Sequence, residues 1–169
     1  MPRDTLAITW KMLRMLVTLN LIVGFLILVL LVASLAAEGW VMEALGVRPG
    51  RPGVVLGMRM IMVLGIGSVP LTHVVLTRLQ EIVGTVGRGD PFVAVNAARL
   101  QTIAWAVLGL QLMHLAVGVV AAGVAAAGQP LDLDWSFSFT PWLAVLLLFV
   151  LARVFEQGAR MREELEATV

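Results

Sequence analysis

The sequence predicts an all-α membrane protein: a four-transmembrane-helix bundle with N-in/C-in orientation and a short outer cap, one segment of which is extended. Three observations carry this. The 169 residues are 60% hydrophobic and 14% charged, with a mean hydropathy of +0.96; a soluble domain is nearer half apolar and a quarter charged. Residues 15–37, 60–77, 100–131 and 141–152 contain no Asp, Glu, Lys or Arg. Finally, nine of the twelve Lys and Arg residues fall on one side of the membrane that these runs define.

About 20 apolar residues let a helix cross ~30 Å of hydrocarbon. The helices are expected at about 10–37, 54–84, 91–127 and 141–166, in a single membrane domain over 1–169. The first run is too long for a signal-peptide core, so it reads as a span even though Ala33-Ser34-Leu35-Ala36-Ala37 looks like a cleavage site. Trp10 and Trp40 bracket it, thirty residues apart, or ~45 Å, close to a bilayer with its interfaces. Span two starts near Val54 with Arg59 in its first turns. Gly65, Gly67, Ser68 and Pro70 cluster in its middle, and Pro70 removes a backbone donor, so a kink is expected there. Span three is longer than a crossing needs and carries a Gly118, Ala122, Ala126 stripe suited to close packing. Span four has a short core behind Thr140 as N-cap and Pro141 at the first position, with Trp135 and Trp142 at the outer interface.

Cytoplasmic loops of membrane proteins are rich in Lys and Arg. Arg3, Lys11 and Arg14 precede span one; Arg78, Arg88 and Arg99 lie between spans two and three; Arg153, Arg160 and Arg162 follow span four. Only Arg48, Arg51 and Arg59 lie on the other face. Both termini are therefore expected in the cytoplasm, beneath a bacterial inner membrane.

The outer loop 38–53 ends in Arg-Pro-Gly-Arg-Pro-Gly and reads as irregular. Residues 131–140 alternate apolar and polar, the period of a strand. They are expected to cap the bundle, with Asp132 and Asp134 toward Arg48 and Arg51; a ligand-sensing lid is the alternative. On the inner side Gly84, Gly87 and Gly89 break span two, and Asp90-Pro91 restarts a helix whose Phe92, Asn96 and Arg99 share a face. Gly84-x-x-Gly87-x-Gly89 lacks the Gly-Lys-Ser/Thr of a phosphate loop and follows a membrane helix, not a strand. Span four extends as an Arg153, Glu156, Arg160, Glu164 ladder, a solvated face or a docking surface.

Ionisable residues at membrane depth are functional candidates by default. Arg59 is expected to snorkel or to pair with Glu38 or Glu43. Asn20 and His73 lie at similar depth in adjacent antiparallel spans, within hydrogen-bonding reach of each other. His114, one turn after Gln111, lies ~12 Å deeper than His73, too far for one shared metal ion. The polar set Asn20, His73, Gln111 and His114 reads first as interhelical hydrogen bonding and second as a ligand or proton-sensing site.

A net charge of +1 supplies no field for direct nucleic-acid binding. With no cysteine there are no disulfides, thiolate metal sites or thiol nucleophiles. No nucleophile elbow, His-Glu-x-x-His motif or intramembrane carboxylate pair is present, so no enzyme activity, cofactor or metal is expected. Only span two is visibly broken and no internal repeat is evident, which argues against a transporter.

Two motifs resemble a bacterial four-span membrane family catalogued as a domain of unknown function. One is Gly89-Asp90-Pro91-Phe92-x-x-x-Asn96-x-x-Arg99-Leu100. The other is Val154-Phe155-x-x-Gly158-x-x-Met161-x-x-Glu164-Leu165-x-x-Thr168-Val169. Glu166-Ala167 departs from the polar-Leu pair such proteins carry there. The resemblance implies no reaction. It implies a gene neighbour encoding a small Cro/repressor-type helix-turn-helix regulator, and hence a membrane regulator or sensor acting on a cytoplasmic transcription factor. The expected partner surface is Pro91, Phe92, Asn96, Arg99, Phe155, Gly158 and Arg160, with Asn96 and Arg99 tying the inner loop to the extended fourth helix. The alternatives are an oligomeric small-molecule or lipid binding or transport protein built around the intramembrane polar set, and an accessory subunit of a larger complex.

Overall fold

The computed structural model describes residues 3–45, 52–87, 93–126 and 138–166. The elements are α1 (Arg3–Ala36), α2 (Glu38–Ala44), α3 (Pro52–Gly87), α4 (Ala94–Ala126) and α5 (Thr140–Glu166), with no strand among the described residues. All but α2 are long and apolar enough to cross a membrane. Residues 131–137 of the segment expected to be extended over 131–140, and Arg48, Arg51, Pro91 and Phe92, lie outside the described residues; that segment's last residue, Thr140, is helical.

Several boundaries differ from expectation. α3 passes through Gly84 to Gly87 without a break, because a glycine inside a helix costs only ~1 kcal/mol against alanine and neighbouring packing supplies that. α5 starts one residue early: Leu143 N–H donates to the Phe139 carbonyl, and Thr140 N–H to Ser138 Oγ. Part of the loop that reads as irregular folds as α2, which buries Val41 and Met42.

Packing runs in chain order: α1 on α3, α3 on α4, α4 on α5, with α2 folded back on α1. The bundle is thus open, with α3 and α4 as its inner pair. α3 carries Pro70 without interruption. Pro70 cannot donate a hydrogen bond and frees the carbonyl one turn earlier. Polar side chains crowd the neighbouring carbonyls. Ser68 Oγ donates to Gly65 O at 2.6 Å and Thr72 Oγ1 to Ser68 O at 3.0 Å. From α1, Asn20 Nδ2 donates to Val69 O at 3.0 Å. Side chains of this kind are what make a proline tolerable inside hydrocarbon.

Close approach sets the helix register. A Cβ at Gly24 would lie 2.7 Å from Val69 Cγ2, and one at Gly65 would lie 3.5 Å from Ile27 Cδ1. Farther along the α1–α3 seam, the Arg59 guanidinium donates to the Ser34 carbonyl and to Glu38 Oε2 at 2.8 Å. Ser34 O is one of the last four carbonyls of α1, which lack an intrahelical donor, and the cation also meets the negative end of that helix. On the other side of α3, Gly67 faces Met113 and Leu71 faces Gly109. Within one chain the Gly118, Ala122, Ala126 stripe is packed only at Gly118, which is buried, whereas Ala122 and Ala126 are exposed.

The register also sets depth. The α1–α3 contacts place Arg14 level with Arg78. The Trp105–Phe149 contact, ring centroids 5.2 Å apart and edge to face, places Arg153 within a residue of the same level. On α3, Arg59 and Arg78 are nineteen residues apart, or ~28 Å at 1.5 Å per residue, which matches the ~30 Å hydrocarbon layer.

Gly24→Val forces a β-branched side chain into Val69, which is itself β-branched and stiff, and is expected to destabilise the protein by about 1–3 kcal/mol. Gly84 has open space around it, so Gly84→Ala is expected to be neutral or to stabilise by up to ~1 kcal/mol. Unfolding in detergent micelles measures both; equal losses would contradict the α1–α3 seam.

Candidate functional site at the terminal end of the bundle

The end of the bundle that carries both termini holds a connected polar network. Asn96, fully buried near the start of α4, donates through Nδ2 to Thr85 Oγ1 at 2.7 Å. Thr85 in turn donates to Ile82 O at 2.7 Å. Asn96 Oδ1 accepts from Arg99 Nη1 at 2.9 Å, and Arg99 Nε donates to Glu81 Oε2 at 2.8 Å. Glu81 also accepts from Arg78 Nη1, at 2.9 Å to Oε2 and 3.1 Å to Oε1. One carboxylate therefore sits between two guanidinium groups. Spacing on each helix makes this possible: Glu81 and Thr85 are four apart on α3, and Asn96 and Arg99 three apart on α4, so each pair shares a face.

This arrangement corrects one expectation. These bonds of Asn96 and Arg99 go to α3, the second span, and not to the extended fourth helix. The cause is the antiparallel register of α3 and α4: Gly67–Met113 and Leu71–Gly109 bring Glu81 to Arg99 and Thr85 to Asn96.

A second feature lies on the other face of α4. A groove of about 600 Å³ runs between α4 and α5, lined by Ala98, Gln101, Phe149, Arg153, Glu156 and Arg160, with further alanines from both helices. Two steps of the expected ladder on α5 are present: Arg153 Nη1 donates to Glu156 Oε2 at 2.8 Å, and Arg160 Nη2 to Glu156 Oε1 at 2.7 Å. Of the expected partner surface, Arg160 lines the groove, while Asn96 and Arg99 form the tie to α3. Phe155 and Gly158 are half-buried on α5 and are not among the groove residues. Sequence reading missed Thr85, Gln101 and Phe149. A helical-face reading finds the latter two: 94, 98, 101, 105 on α4 and 149, 153, 156, 160 on α5 recur at the spacing of one face.

The intramembrane polar set does not converge. Asn20 bonds the backbone carbonyl of Val69 in place of His73, because the tight Gly24–Val69 approach brings that carbonyl within reach first. His73 Nδ1 is buried without a hydrogen-bond partner. Gln111 is half-buried and His114 exposed on α4. The α3–α4 register puts His114 level with Ile66, seven residues from His73, or ~10 Å along the bundle. Among the described residues, no three His, Asp or Glu side chains come close enough together to hold a metal ion.

Four apolar helices of membrane-spanning length make this a multi-pass integral membrane protein. The chain belongs to the family described as "Protein of unknown function (DUF2975)", which matches residues 32–169. The matched region takes in α2 to α5 and the residues of both motifs. No curated protein and no solved structure matches the chain.

Thr85→Val and Asn96→Ala are expected to be strongly non-additive, with a coupling of about 0.5–3 kcal/mol, since Asn96→Ala alone leaves buried donors and acceptors unsatisfied. A double-mutant cycle on unfolding in micelles reads the coupling; additive losses would mean that the hydrogen bond contributes nothing.

Proposed function

We propose that the protein is a non-enzymatic regulator of the bacterial inner membrane, with both termini cytoplasmic, whose terminal end engages a small helix-turn-helix transcription factor. The observation that carries this reading is the tie made by the buried Asn96–Thr85 bond and the half-exposed Arg99–Glu81 pair. It locks the ends of α3 and α4 together at the end of the bundle that also carries Arg14, Arg78, Arg153 and Arg160. A lock of this kind keeps a surface in one shape for a partner. Beside it, Glu156 orients Arg153 and Arg160, both largely exposed, so two guanidinium groups stand ready for an acidic face. The family resemblance supplies the class of partner, and the Lys and Arg distribution supports the orientation.

The test has two arms. The chain has no cysteine, so single substitutions Ser138→Cys and Arg160→Cys report sidedness directly. A membrane-impermeant maleimide on intact spheroplasts is expected to label position 138 and spare position 160. In the second arm, the tagged full-length protein is expected to co-purify the helix-turn-helix protein encoded beside it. Arg160→Ala is expected to weaken that capture roughly tenfold, the loss of one anchoring arginine. Labelling of position 160 from outside, or no retention of that regulator by the wild type, would refute the proposal.

A further inference from the structure

We propose that the groove between α4 and α5 binds one anionic phospholipid. Arg153, Arg160 and Gln101 hold the phosphate, and the acyl chains run past Trp105 and Phe149 into the hydrocarbon. This does not rest on a docked regulator; it stands on the groove alone, and each guanidinium has N–H groups enough for Glu156, a phosphate and a partner's carboxylate together.

Depth is the first argument. Arg153 lies within a residue of the level of Arg14 and Arg78, nineteen residues from Arg59 along α3, which is where the hydrocarbon layer ends. The groove straddles that level. Arg160, seven residues farther along α5, is anchored ~10 Å outside it, and its guanidinium reaches back to Glu156, ~5 Å outside it and at headgroup height. Phe149, one turn inside, closes the other end with Trp105 edge to face. Trp105 is 60% exposed, so the groove opens onto an aromatic surface that faces lipid.

The donor set is the second. Each guanidinium has five N–H groups in a planar fork. Arg153 and Arg160 each spend a bond on Glu156, and both remain largely exposed, leaving N–H groups for a phosphate. Glu156 spaces the two forks on either side of one carboxylate. Gln101, exposed at the foot of the groove, adds an amide donor. The lining carries two cations and one anion, which favours an anionic headgroup over a zwitterionic one.

Shape is the third. Ala97, Ala152 and Ala159 are buried in the groove walls, so two helices that pack closely farther along leave about 600 Å³ here. A soluble phosphate would use only the charged half. A phospholipid uses the charged half and the apolar outlet together.

Native mass spectrometry of the full-length protein in detergent micelles tests this, with phosphatidylglycerol and phosphatidylcholine offered as probes. The wild type is expected to retain one phosphatidylglycerol in preference to phosphatidylcholine. An Arg153→Gln, Arg160→Gln double variant is expected to lose that retention roughly tenfold. Ala98→Leu, which narrows the groove and keeps every charge, is expected to lose it as well at unchanged thermal stability, so the test survives if the arginine variant folds poorly. Arg14→Gln, at the same depth on α1, is expected to retain the lipid as the wild type does. Equal retention of both lipids by the wild type would overturn the site, as would full retention by Ala98→Leu. A loss in Arg14→Gln equal to that of the double variant would do the same. Displacement of the lipid by millimolar inorganic phosphate would assign the groove to a soluble anion.

Discussion

Guanidinium groups do not enter hydrocarbon without compensation, and the rest of the structure follows from where this chain keeps them. Arg59 and Arg78 mark two levels on one helix, nineteen residues apart. Between those levels α1, α3 and α4 carry no Asp, Glu, Lys or Arg. Beyond one of them lies the Arg59–Glu38–Ser34 cluster, which closes the α1 end and holds α2. Beyond the other lies the Glu81–Arg99–Asn96–Thr85 network. The two polar ends differ in purpose. The first satisfies helix-end carbonyls and a charge. The second joins two helices side chain to side chain.

Between these ends the helices are held by shape. Apolar side chains gain nothing from contact with one another that lipid would not also provide, so association depends on close packing and a few polar bonds. Gly24 against Val69 and Gly109 against Leu71 supply the first on either side of α3. Asn20 on the Val69 carbonyl supplies the second. α3 is thus gripped from both faces at the level of Pro70, the point where its own backbone bonding is weakest. The outer helices α1 and α5 each pack against one neighbouring span and present much of their apolar surface to lipid.

The spans were legible in the sequence because an apolar run of membrane length carries its meaning locally. The pairing of Arg59 with Glu38 and the Arg153–Glu156–Arg160 ladder were legible for the same reason, since each lies within one or two turns or across a short loop. What the sequence hid depends on register. Asn20 takes a backbone carbonyl as its acceptor, and a carbonyl has no residue-type signature. One partner of Asn96 is Thr85, eleven residues earlier on the preceding helix, which becomes visible only when the glycine contacts align α3 and α4. α2 was masked by the Arg-Pro-Gly repeat after it, although Val41 and Met42 are the kind of apolar pair that seeks burial. The groove was hidden because its floor is alanine, which reads as generic helix.

Depth governs the whole arrangement: the hydrocarbon is bounded by the levels of Arg14 and Arg78 at one end and Ser34 and Arg59 at the other. Single spin labels along α1, from Ile8 to Leu35, in bilayers with oxygen and a nickel chelate as paired relaxants, measure that depth residue by residue. The expected profile has one oxygen maximum near Gly24, halfway between Arg14 and Ser34, and falls to interfacial values at both of those positions. A maximum displaced by two turns toward either end, or interfacial values at Phe25, would contradict it.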